Sequence, residues 1–88
     1  MNQVIKFSAD WCGPCKAMKP HFEKFKAEFE EEIDLFDINV DEDPETAQAY
    51  NVRSIPTTVF IKEGKVVSRS VGLMTYEKLK EEAEKLLK

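Results

Sequence analysis

Apolar positions fall in blocks whose spacing changes along the chain. Residues 3–9 (Gln-Val-Ile-Lys-Phe-Ser-Ala) are apolar at most positions, which predicts a central strand covered on both faces, with Lys6 as its oddity. Asp10 to Pro14 is turn-like and leads into a helix. Met18, Phe22, Phe25 and Phe29 recur at helical spacing and form one stripe. Pro20 lies inside that helix and should kink it, because it lacks an N–H and crowds the preceding turn. Residues 33–40 predict a second strand. Asp41, Glu42 and Asp43 precede Pro44, and a proline there suits the first turn of a short helix over 44–50. Residues 57–62 and 65–71 predict two strands, with Glu63-Gly64 as a hairpin turn. Gly72 closes the last strand. Thr75 is placed to cap a terminal helix whose stripe is Tyr76, Leu79, Ala83 and Leu86.

The order is βαβαββα. A helical crossover should make the first two strands parallel, and the last two should form an antiparallel hairpin. The expected fold class is α/β: a three-layer α/β/α sandwich around a four-stranded mixed sheet. The 88 residues suit one domain over 1–88.

Composition narrows the function. Thirteen basic residues against 17 acidic ones leave a net charge of −4, which argues against nucleic-acid or membrane-surface binding. No run approaches the roughly 20 apolar residues needed to span a bilayer, and no charged-then-apolar leader precedes the first strand. A cytoplasmic monomer is the expectation. Two cysteines three positions apart, in a reducing compartment, suggest redox chemistry or metal binding rather than a structural staple.

Cys12-Gly13-Pro14-Cys15 sits where a strand gives way to a helix. Unpaired N–H groups at a helix N-terminus carry partial positive charge, so a thiolate there is stabilised. The three-residue offset brings the second sulfur to the same face, one turn deeper, within disulfide reach. Gly13 leaves room for a substrate backbone, and Pro14 stiffens the turn where a missing N–H costs little. The expected roles are Cys12 as the more exposed attacking sulfur and Cys15 as the one that resolves the mixed disulfide. Zinc would need further ligands, and His21, on the same helix, is set to a different side. No metal is expected.

The segment Ala9-Asp10-Trp11-Cys12-Gly13-Pro14-Cys15-Lys16 resembles the active-site signature of the thioredoxin family. The likeness extends to Pro20, to Asn39-Val40-Asp41 with Pro44, to Val52-Arg53-Ser54-Ile55-Pro56-Thr57, to Lys62-Glu63-Gly64-Lys65 and to Val71-Gly72. It implies a thioredoxin-like fold without the usual leading strand and helix. It also implies a cis Ile55–Pro56 bond beside Cys12, and a flat substrate surface of Trp11, Gly13, Pro14, Ile55, Pro56 and Gly72.

Lys6 stands where the family carries a buried aspartate, and Asp37 where it carries the partner lysine. A buried lysine needs a counter-charge, so Lys6 and Asp37 are expected to pair beneath Cys15 and to assist proton transfer. The alternative is that Lys6 snorkels to solvent. The resemblance implies a protein-disulfide reductase with no bound cofactor, taking electrons from NADPH through a thioredoxin reductase. Its substrates would be disulfide-containing proteins, ribonucleotide reductase among them. A glutaredoxin-like, glutathione-dependent reductant and a redox-independent binding subunit are the competing readings.

Overall fold

A computed structural model describes residues 2–88. The elements are β1 (Gln3–Ser8), α1 (Gly13–Phe29), β2 (Asp34–Asn39), α2 (Pro44–Ala49), β3 (Thr57–Lys62), β4 (Lys65–Val71) and α3 (Tyr76–Leu86). The predicted order holds throughout. The hairpin strands fall on their expected residues, β1, β2 and α2 agree to within a residue, and α1 starts at Gly13, inside the segment expected to be a turn. The strands lie side by side as β2-β1-β3-β4. β1 runs parallel to β2 and antiparallel to β3, and β3 runs antiparallel to β4.

Glu63 and Gly64 both have positive φ, 52° and 80°, as a two-residue hairpin turn of primed type I requires. Thr75 caps α3 by accepting the Lys78 N–H at 3.3 Å. Pro20 removes the N–H that would bond the Lys16 carbonyl, yet α1 continues through it to Phe29.

The sheet divides the core in two. On one face Met18, Phe22, Phe25 and Phe29 of α1 pack with Leu79, Ala83 and Leu86 of α3 against Val4 and Phe60. On the other, Ala47 of α2 covers Ile5, Phe7, Val59 and Ile61 with help from Ile38, Tyr50 and Ile55. Burying each of the three α1 phenylalanines is worth about 1.5–3 kcal/mol, which anchors the helix whose first turn carries the cysteines.

Candidate functional site

Cys12 and Cys15 are joined as a disulfide with their Cα atoms 5.2 Å apart. Cys12 is the N-cap of α1: its backbone is extended, and its Sγ accepts the Cys15 N–H at 3.2 Å. A sulfur therefore does the work usually left to a Ser or Asp oxygen at that position. Pro14 lies in the first turn, and a Cβ at Gly13 would meet nothing within 4 Å, so the approach above the pair is open. One expectation needs adjusting. Overall exposure does not separate the two cysteines in the disulfide, since Cys12 is 5% and Cys15 4% exposed. What separates them is their surroundings.

Cys12 Sγ lies 3.9 Å from the Ile55 carbonyl oxygen, and the Ile55–Pro56 bond is cis, as expected. The Pro56 carbonyl accepts the Gly72 N–H at 2.8 Å. Gly72 has φ of 102°, a left-handed conformation that glycine adopts without steric cost. Trp11 is 69% exposed and held by its edge, its Nε1–H donating to Asp41 Oδ2 at 2.8 Å. The Asp41 turn is itself tied down, because Asn39 Oδ1 accepts the Asp41 and Glu42 N–H groups. Trp11 and Ile55 form a groove of about 190 Å³ with Val40, Ala47, Val52 and Arg53. Those last four were missed as site residues in the sequence. Trp11's need for an acceptor beside an acidic turn was the one available clue.

Cys15 faces charge. Lys6 is 2% exposed, and its Nζ lies 3.3 Å from Asp37 Oδ2, while Asp37 is 46% exposed. The two residues are direct partners in the β1–β2 register. Asp37 Oδ1 accepts the Ser8 hydroxyl at 3.1 Å, and Lys6 Nζ sits 5.1 Å from the centre of the Phe22 ring. Lys6 therefore pairs within the fold and does not snorkel to bulk water. Across β3 it stands opposite Thr58, a buried residue whose Oγ1 has no hydrogen-bond partner among the described residues. Lys6, Asp37 and Cys15 share the wall of one open cavity.

His21 is occupied elsewhere. Its Nδ1 accepts the Tyr76 N–H at 2.9 Å and so caps α3 from α1. Among the described residues, no group of three or more His, Cys, Asp or Glu side chains is placed to hold a metal ion. The displaced titrations lie on α1 and α3. The Tyr76 hydroxyl donates to Glu28, which lowers the Glu28 pKa and raises that of Tyr76. The Glu28 charge in turn raises Lys80. A hydrogen bond from Lys85 lowers Glu82.

Comparison with known proteins agrees with this geometry. The family model described as Thioredoxin matches residues 1–85. A thioredoxin of Staphylococcus aureus is 42% identical over 85 residues, covering 97% of this chain and 82% of that protein. The structure of Deadhead, a germline-specific thioredoxin of Drosophila melanogaster, superposes with a TM-score of 0.88 at 32% identity, covering 97% of this chain and 80% of that one. A chain solved in work on thiol resolution in yeast mitochondrial 1-Cys peroxiredoxin via glutathione and thioredoxin systems gives 0.87 at 32% identity, covering 97% and 78%.

Proposed function

The chain belongs to the thioredoxin family and is a thiol–disulfide oxidoreductase, and from that premise we propose a division of labour within its dithiol. Cys12 is the nucleophile. Its thiolate attacks one sulfur of a protein disulfide and displaces the other as a thiolate, leaving a mixed disulfide. Cys15 then attacks Cys12 Sγ, expels the second substrate thiolate and closes the Cys12–Cys15 disulfide. The redox group is this disulfide itself. The observation that carries the assignment is the Cys15 N–H aimed at Cys12 Sγ. In the reduced protein that donor, with the positive end of α1, holds the Cys12 sulfur as thiolate.

Lys6 and Asp37 serve Cys15. The lysine cation favours the thiolate form, and the half-exposed carboxylate takes the Cys15 proton, directly or through water, and passes it to solvent. Trp11, Gly13, Pro14, Ile55, Pro56 and Gly72 form the surface on which an extended substrate segment lies. The reductant is NADPH acting through a thioredoxin reductase. The substrates are protein disulfides, with ribonucleotide reductase a candidate, and the protein works as a cytoplasmic monomer. No described helix is long and apolar enough to cross a membrane.

Insulin disulfide reduction tests this reading. With NADPH and a thioredoxin reductase the protein should turn over, and Cys12→Ser should not. Failure of the wild-type protein with the reductase, while dithiothreitol still cycles its cysteines, would remove the reductase from the scheme.

A further inference from the structure

The cavity on the Cys15 side is larger than proton transfer needs. Its volume is about 390 Å³, and its wall carries three lysines, Lys6, Lys16 and Lys19, against two carboxylates, Asp10 and Asp37. In a chain of net charge −4 this is a local excess of positive charge. Lys6 sharpens it. Its ammonium has three N–H donors, and the one carboxylate paired with it lies 3.3 Å away, longer than a good charge-assisted contact of about 2.7–2.9 Å. Asp37 also divides its oxygens between Lys6 and the Ser8 hydroxyl. Lys16 and Lys19 are exposed and three residues apart on α1, so they stand on one side of the helix. The volume lies within the range of small-molecule sites.

Cys15 forms part of this wall and Cys12 does not. A nucleophile seated in the cavity meets the disulfide from the Cys15 side. Displacement at sulfur needs the attacking and leaving groups in line, so the sulfur expelled is Cys12. That is the better leaving group, because its Sγ already accepts the Cys15 N–H at the head of α1.

We propose that this cavity is an entry site for a small anionic thiol that reduces the disulfide by attack on Cys15. The proposal rests on the dithiol reading above but adds a second donor and a second face. In the first step the thiolate sulfur bonds to Cys15 Sγ, the Cys12–Cys15 bond breaks, and Cys12 leaves as a thiolate. In the second step another small thiolate attacks the sulfur of the first. The free disulfide of the two small thiols leaves, and Cys15 is released as a thiolate. Two thiols are oxidised, two electrons enter the protein, and the two protons shed by the small thiols are available to Cys12 and Cys15.

The test uses the oxidised full-length protein with two probes, glutathione, which carries two carboxylates, and 2-mercaptoethanol, which is neutral. Rates are compared per thiolate present. Glutathione should be faster by about tenfold at low salt, as steering into a focused positive site allows. The advantage should disappear in the Lys16→Glu, Lys19→Glu double variant while the 2-mercaptoethanol rate changes less. Quenching the first turnover with iodoacetamide caps the freed thiolate, and fragmentation of the peptide between Lys6 and Lys16 then locates the adduct. Glutathione on Cys15 with the cap on Cys12 is the expected result. Glutathione on Cys12, or a rate ratio insensitive to the charge reversal, overturns the proposal. Reduction by dithiothreitol is the internal check: if it opens the disulfide and the reduced protein then reduces insulin, a negative result counts against the cavity alone and leaves the dithiol reading standing.

Discussion

On the side of Cys12, the sulfur lies 3.9 Å from the Ile55 backbone carbonyl oxygen, and Ile55 in turn lines a mostly apolar groove with Trp11, Val40, Ala47, Val52 and Arg53. On the side of Cys15, the border is charged, with Lys6 buried, Asp37 half in solvent, and Lys16 and Lys19 at the rim. The two cysteines are almost equally buried, so the difference lies in the chemistry of their surroundings. A mostly apolar border with a backbone carbonyl beside the sulfur suits recognition of an extended peptide, while a charged, open border suits movement of protons and small ions. One disulfide thus separates a recognition side from a charge-handling side, and each can be broken on its own.

The largest effect belongs to the bond between the two sides. Cys12→Ser should lower insulin-reducing turnover by about 10³-fold or more, since it removes the nucleophile itself. Next comes the charged side. Lys6→Met or Asp37→Asn should each slow resolution of the mixed disulfide by roughly 100-fold, the lower end of what a lost general base costs. The double variant should be little worse than either single one, because a coupled pair fails as a unit. Stopped-flow measurement of resolution decides this, and small additive effects would sink the pair's role. The apolar side should respond differently: Trp11→Ala should raise KM for a protein disulfide by about tenfold with kcat nearly unchanged, as loss of an aromatic anchor does. A fall in kcat with KM unchanged would blur the two sides.

The smallest effect lies outside both. Glu82 is more acidic in the folded protein because Lys85 hydrogen-bonds it, with Ser68 assisting. A lowered folded pKa means that the unfolded chain takes up the proton first. The stabilisation is therefore present above the ordinary glutamate range and is lost as pH falls through the folded value. Thermal melts between pH 6 and about pH 3 should show a slight drop that shrinks in Glu82→Gln, worth under about 1 kcal/mol for so exposed a pair. Turnover relative to folded protein should not change.

Much of this architecture is legible in the chain. The Met18–Phe22–Phe25–Phe29 stripe, the Thr75 cap and the Glu63-Gly64 turn are local signals, and the parallel pairing of β1 and β2 follows from the helix that separates them in sequence. The Lys6–Asp37 pair is legible only with the family resemblance: a lysine in an apolar strand demands a counter-charge, and the resemblance is what points to Asp37. The remainder is tertiary. Val40, Val52 and Arg53 come from the strand exit and the loop after α2 and meet Trp11 only once the sheet has formed. The capping role of His21 reaches across 55 positions to Tyr76, and no spacing rule announces it. The near-equal burial of the two cysteines is hidden for the same reason: they cluster with Ala9, and Val40 and Ile55 pack against that cluster.

The most direct test of the division between the sulfurs is a trapped intermediate. Cys15→Ser protein, reduced and mixed with insulin, should accumulate a mixed disulfide that mass spectrometry places on Cys12, and Cys12→Ser protein should trap none at comparable rate. Equal trapping by Cys15 in the Cys12→Ser variant would contradict the account, because the two sides of the disulfide would then be interchangeable.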